Sequence, residues 1–178
     1  KVIIDEAHAL GVVGDSGKGL SISKGLHNKL FARIYTFGKA MGCHGAVIVG
    51  SEELKTYLLN FSRSLIYTTF LPPHSLHMIK NSFDLLRIST GRVKTLENKS
   101  RLFDQILNSE SISGLPIKAI IIPEIETLKK IEKDLIKKGY NVKAILKPSV
   151  AEGYERLRIC IHTFNSESSI IQLAKHIK

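Results

Sequence analysis

Cysteine is nearly absent from this chain of 178 residues: Cys43 and Cys160 are its only two, and they stand far apart. Such a pair lacks the close spacing of a zinc-ligand set and builds no disulfide framework, so no metal is expected and a reducing cytoplasm is the expected location. Long hydrophobic runs are missing too. The apolar stretches are shorter and more interrupted than the roughly 20 residues that a membrane-spanning helix needs, so no membrane association is expected. Acidic residues are scarce beside basic ones, 16 against 26, leaving a formal charge of +10. That excess suits an acidic partner or substrate. It is scattered, however: in "LKKIEKDLIKKG" lysines alternate with Glu132, Asp134 and apolar residues, the pattern of a solvated helix face, and no nucleic-acid partner is expected. The opening lacks a Met and a signal-peptide layout, with Lys1 leading straight into Val2-Ile3-Ile4, which reads as the back part of a longer protein. What is present is a globular composition, 43% hydrophobic and 24% charged, long enough to bury a core.

Short β-rich runs, "KVIID", "RIYTF" and "GAVIVGS", alternate with glycine-rich turns through about residue 50, the pattern of part of an α/β sheet. Ser51 ahead of Glu52-Glu53 predicts a helix start. "LIYTTFLPP" reads as extended up to Pro72-Pro73, where a new helix can begin. Leu76, Ile79, Phe83, Leu86, Leu96, Phe103, Ile106 and Leu107 fit a long helical connection with Gly91 as a weak point. After "SGLP" the pattern predicts a strand "IKAIII", a helix stopped by Gly139, strands "NVKAIL" and "RLRICIHT", and a last helix "SESSIIQLAKHI". The expected domains are 1–73, part of a large α/β domain; 74–113, a helical connection; and 114–178, a small α+β domain.

The opening "VIIDEAH" admits two chemistries. An apolar strand ending in Asp5-Glu6-Ala7-His8 is written alike in DEAH-type ATPases and in cofactor-tuning strands of other enzymes. An ATPase requires an upstream G-x-x-x-x-G-K-[ST] loop whose N–H groups and Lys hold phosphates. The nearest stretch, "GDSGKG" (residues 14–19), has the wrong spacing, lacks Ser or Thr after Lys18 and follows the acidic strand. The second chemistry draws support from "YTFGKAMGCHGAVIVGS". Lys39 stands there in a glycine-flanked turn, where a lysine that must reach an aldehyde and shed its proton benefits from small neighbours. Thr36, three residues earlier, can donate its hydroxyl to a phosphate oxygen.

Taken together and in order, "DEAHALGVVGDSGKG", "TFGKAMGCHGAVIVGS", "NFSRSLIYTTFLPP" and "EGYERLRICIHTFN" resemble the α-oxoamine synthase family of fold type I enzymes that depend on pyridoxal 5'-phosphate (PLP). The resemblance implies the C-terminal portion of a fold type I PLP-dependent transferase, of α/β class. It implies a decarboxylating condensation of an amino acid with an acyl thioester. The biotin-synthesis branch, which joins L-alanine to a pimeloyl thioester on CoA or a carrier protein, is the nearest in pattern. The 2-amino-3-ketobutyrate ligase, 5-aminolevulinate synthase and serine palmitoyltransferase branches remain open.

Carried over residue by residue, the resemblance places Asp5 against the pyridine nitrogen, where a carboxylate keeps the ring protonated. It places His8 on the phenolic oxygen, Thr36 on the phosphate, and Lys39 as both the cofactor's Schiff-base partner and the base for the Cα proton. Glu6 and Ala7 read as spacers. Thr68 and Thr69 would reach the phosphate of a neighbouring subunit, implying a homodimer with shared sites. Arg158 would grip the amino acid's carboxylate, and Arg156, on the same strand face, is expected in a structural ion pair. His44 occupies a variable position near the entrance, and "HTFN" at 162–165 departs from the family's usual "TAAH". The family pattern also places an N-terminal half ahead of Lys1, so the chain alone is expected to be inactive.

Overall fold

A computed structural model describes residues 1–89, 91–108 and 114–178. The chain forms two compact units, Lys1–Val93 and Lys94–Lys178, each with a three-stranded sheet.

In the first unit the β-branched runs form β1 (Ile3–Asp5), β2 (Ala32–Thr36) and β3 (Ala46–Gly50), as their preference for a pleated, half-buried surface predicts. The order is β1-β2-β3. β1 runs parallel to β2 with Asp5 opposite Ile34, and β2 runs antiparallel to β3 with Thr36 opposite Ala46. The long connection from β1 to β2 holds a 3-10 turn at Asp15–Gly17 and the short helix α1 (Leu20–Ser23). Helix α2 (Glu52–Phe61) starts at Ser51, whose Oγ accepts the Leu54 N–H at 3.2 Å. Helix α3 (Pro73–Ile88) has proline at its first position, where the missing N–H costs nothing. Leu10, Tyr35, Phe37 and Met41 form the buried core, and Ile79 and Leu86 of α3 pack against them.

"LIYTTFLPP" departs from its extended expectation at its start. The Ser62 carbonyl accepts from the Leu65 and Ile66 N–H groups and Leu65 accepts from Thr68, while Tyr67 takes a left-handed φ of 62°. A tight turn after α2 thus satisfies backbone groups that an extended exit would leave open, overriding the β propensity of Ile66 and Tyr67.

The second unit begins within the first turn of α4 (Arg92–Leu107). It continues through β4 (Ile117–Ile121), α5 (Ile125–Lys137), β5 (Lys143–Ile145), β6 (Arg156–Cys160) and α6 (Glu167–Ile177). Its sheet is antiparallel in the order β4-β6-β5. Phe103, Leu128, Leu135, Leu157, Ile159 and Ile170 build the core. Alternation along β6 sends Leu157 and Ile159 inward and Arg158 outward. Gly139, at φ +87°, ends α5 while the Tyr140 N–H donates to the Leu135 carbonyl. Lys118 and Asp104 are buried as an ion pair, Nζ to Oδ1 2.6 Å. The helical connection read over 74–113 is therefore two helices, α3 and α4, that fall in different units; residues 109–113 lie outside the described residues. Among the described residues no helix is long and apolar enough to cross a membrane, and no group of three or more His, Cys, Asp or Glu could hold a metal ion.

Candidate active site

Because β1 and β2 are parallel, both reach the same edge of the sheet with their carboxyl ends, Asp5 on one and Thr36 on the other. That edge is where open α/β sheets place their ligands. The Glu6 N–H still donates to the Ile34 carbonyl at 2.8 Å, so the ladder holds Asp5 in register to its end. Asp5 is exposed, and its Oδ1 accepts the Ala7 N–H at 2.8 Å, which orients the carboxylate. His8 follows in the turn and is exposed.

Glu6 is more than a spacer. It is 1% exposed, and its Oε2 and Oε1 accept the N–H groups of Leu20 at 2.8 Å and Ser21 at 2.7 Å. These are the orphan donors of the first turn of α1, which a carboxylate caps well. The same contact disposes of the nucleotide reading: the N–H groups after "GDSGKG" are already taken by an internal anion, where a phosphate loop would need them open. Sequence reasoning passed over Glu6 because its partners lie 14 and 15 residues away.

Lys39 lies in the turn between β2 and β3. The Gly42 N–H donates to the Lys39 carbonyl at 3.0 Å, Cys43 to Phe37 at 2.7 Å, and Phe37 to Gly45 at 2.9 Å. Gly45 has φ +122°, and a Cβ there would stand 3.2 Å from Leu71 Cδ1, so the turn closes tightly only on glycine. Helix α3 braces it through the Ser82 Oγ, which donates to the Met41 carbonyl at 2.7 Å. The Lys39 side chain is exposed. Thr36 Oγ1 is buried and has no hydrogen-bond partner among the described residues, an uncommon condition for an interior hydroxyl.

Thr68 and Thr69 stand in the irregular segment before α3 and are exposed. The Thr68 hydroxyl donates to the Leu65 carbonyl at 2.6 Å, whereas no partner engages the Thr69 hydroxyl among the described residues. In the second unit Arg158 projects from β6 with no hydrogen-bond or ion-pair partner among the described residues. It lines a cavity of about 600 Å³ together with Asn141, Lys143, His162, Phe164 and Asn165, and no Asp or Glu is in the lining. The His162 and Phe164 rings stack at 4.9 Å. Arg156 makes no ion pair among the described residues. Its Nε donates to the Tyr154 carbonyl at 2.9 Å, a local backbone acceptor that spares it a carboxylate.

The chain is similar to known proteins over nearly its whole length. The family model of aminotransferase class I and II matches residues 1–177. An 8-amino-7-oxononanoate synthase of Emericella nidulans is 33% identical over 187 residues, covering 98% of this chain and 45% of that protein. The synthase of Vibrio cholerae is 29% identical over 182 residues, covering 99% and 46%. The chain thus spans about half the length of the curated relatives it matches. The crystal structure of 8-amino-7-oxononanoate synthase from Francisella tularensis superposes with a TM-score of 0.89 at 27% identity, covering 99% of this chain and 53% of that one. Serine palmitoyltransferase of Sphingomonas wittichii shares the fold, with a TM-score of 0.87 at 22% identity, covering 98% and 45%. With a family match that runs almost end to end and a lysine turn set beside an aspartate-tipped parallel strand, the chain belongs to the aminotransferase class I and II family and, within it, to the α-oxoamine synthases of fold type I.

Proposed function

We propose that this chain supplies the lysine-bearing part of a PLP-dependent enzyme that joins L-alanine to a pimeloyl thioester, on CoA or a carrier protein, with loss of carbon dioxide to give 8-amino-7-oxononanoate. The observation that carries the proposal is the buried Thr36 hydroxyl without a partner among the described residues, three residues before an exposed lysine in a glycine-closed turn. A phosphorylated aldehyde needs an amine and a phosphate donor close together, and Lys39 and Thr36 are that pair.

PLP, when bound, supplies the electron sink that stabilises a carbanion at the amino acid's Cα. The chain's own residues do the rest. Lys39 Nζ would hold the aldehyde and would serve as the acceptor for the Cα proton. Asp5, oriented by the Ala7 N–H, would keep a proton on the ring nitrogen, and His8 would hydrogen-bond the phenolic oxygen. Thr36 binds the phosphate. Thr68 and Thr69 reach the phosphate in the second subunit of a homodimer, with Thr69 the better donor because the Thr68 proton is committed to Leu65. Arg158 grips the amino acid's carboxylate with its planar fork, in a cavity whose lining holds no acid to neutralise it. The overall charge of +10 favours the approach of an anionic thioester. The activity belongs to the complete protein working in the cytoplasm, and the chain alone is expected to turn over no substrate.

Borohydride reduction of the complete protein in the presence of PLP, followed by peptide mapping, tests this directly. A pyridoxyl adduct is expected on Lys39; an unmodified Lys39 in folded protein would refute the reading. Product analysis with alanine, glycine and serine then separates this branch from the family's other condensations.

A further inference from the structure

We infer that Glu6 is a positioning residue: by clamping the glycine-rich loop from below, it sets where the Lys39 turn stands relative to Asp5. The inference rests on the proposed roles of Asp5 and Lys39. Successive strand residues point to opposite faces, so Asp5 is exposed at the site while Glu6, next in sequence, is buried beneath it.

From Glu6 a continuous line of tight contacts leads to the lysine. Its carboxylate fixes Leu20 and Ser21. Gly19, just before them, has φ +105°, and a Cβ there would lie 2.9 Å from Glu6 Oε2, so the backbone lies directly against the carboxylate. The Gly19 N–H donates to Val13 at 3.0 Å and the Gly11 N–H to Gly17 at 2.7 Å. A Cβ on Gly17 would come within 2.8 Å of Gly11 Cα. The loop is thus folded on itself, backbone against backbone, with no side chain between to yield. On its far side a Cβ on Gly11 would stand 3.0 Å from Ala40 Cβ and 3.7 Å from Met41 Sδ. Ala40 is the residue after Lys39, and Leu10 and Met41 share one buried cluster. The loop therefore acts as a spacer of defined thickness between the Glu6 clamp and the lysine turn. Asp5 is fixed to one end of that spacer by the peptide bond to Glu6, and Lys39 to the other by its contact through Ala40.

The test is hydrogen exchange by mass spectrometry on the complete protein without PLP, in wild type, Glu6→Gln and Leu20→Pro. Glu6→Gln keeps one acceptor and turns the amide NH2 toward the second N–H. Leu20→Pro removes one donor from the opposite side while leaving Glu6 intact, at a first helical position where proline is tolerated; it keeps the test decisive if Glu6→Gln does not fold. Ser166→Ala, which removes the cap of α6 in the second unit, is the control for a loss of helix capping alone. The expected result is exchange about tenfold faster in residues 19–25 and in 37–45 of Glu6→Gln, and a smaller change of the same pattern in Leu20→Pro. Residues 156–160 should be unaffected in both, and 37–45 should be unaffected in Ser166→Ala. The PLP dissociation constant of Glu6→Gln should rise about tenfold. A change confined to 19–25, or an equal rise in every peptide, would overturn the inference, since Glu6 would then cap a helix or support the fold and nothing more. Failure of the wild type to label at Lys39 would bring down the functional reading separately, because the exchange measurement needs no cofactor.

Discussion

Thr36→Val is expected to move stability and cofactor affinity in opposite directions. The Thr36 hydroxyl is buried with no hydrogen-bond partner among the described residues, and an unsatisfied buried polar group costs about 1–3 kcal/mol. Valine fills nearly the same volume, keeps the β-branching that suits β2, and removes the desolvated oxygen. Without PLP the variant should be more stable by about 1 kcal/mol, which raises Tm, by less than the roughly 2–4 °C of a 150–250-residue domain because the complete protein is larger. With PLP the sign reverses. A hydrogen bond to a charged phosphate contributes about 1.5–3 kcal/mol, so the variant should bind PLP about tenfold to a hundredfold more weakly, and ligand-linked stabilisation falls accordingly. Thr36→Ser keeps the donor and should follow the wild type in affinity. Thermal melts of the complete protein with and without PLP, alongside a PLP titration, read all of this. A Thr36→Val protein that melts below wild type without cofactor, or binds PLP as tightly, would refute the reasoning: the hydroxyl would then have a structural partner or no phosphate to hold.

Three further outcomes follow from the second unit. Lys118→Met should destabilise by about 3–5 kcal/mol, because it leaves the Asp104 carboxylate buried without its cation, and adding Asp104→Leu should recover most of that in urea unfolding. Burial lowers the Lys118 pKa from its ordinary 10.5, with the hydrogen bond and charge of Asp104 opposing. Between that lowered value and 10.5 the unfolded chain binds more protons than the folded one, so this group's contribution to stability rises with pH across the window; the slope should vanish in the double variant. Arg158→Lys, at an exposed side chain with no partner among the described residues, should leave the unfolding free energy within about 0.5 kcal/mol of wild type yet raise KM for the amino acid about tenfold or more, since an ammonium loses the bidentate fork. A kcat loss with unchanged KM would place Arg158 elsewhere in the reaction.

The features legible in the sequence were those whose cause lies among near neighbours. Ser51 capping α2, Pro73 opening α3, Gly139 closing α5 and the glycines around Lys39 each act over a few residues of backbone, so residue types and spacing were sufficient to locate them. The same holds for Asp5, Thr36 and Lys39, which stand at strand ends and in a short turn marked by composition. What tertiary structure decided was pairing over distance. Glu6 reads as a spacer until the chain returns at Leu20 and Ser21; Arg156 reads as an ion-pair residue until its Nε is seen on the Tyr154 carbonyl; Thr36 shows its unsatisfied hydroxyl only once the sheet has buried it. The stretch at Leu65–Tyr67 reads as extended because its propensity is β, but backbone groups at the exit of α2 take the turn. Local preferences are written in the order of the residues, whereas burial and long-range hydrogen bonds depend on which distant backbone groups the fold brings within 3 Å or so of one another, and only the folded chain contains that information.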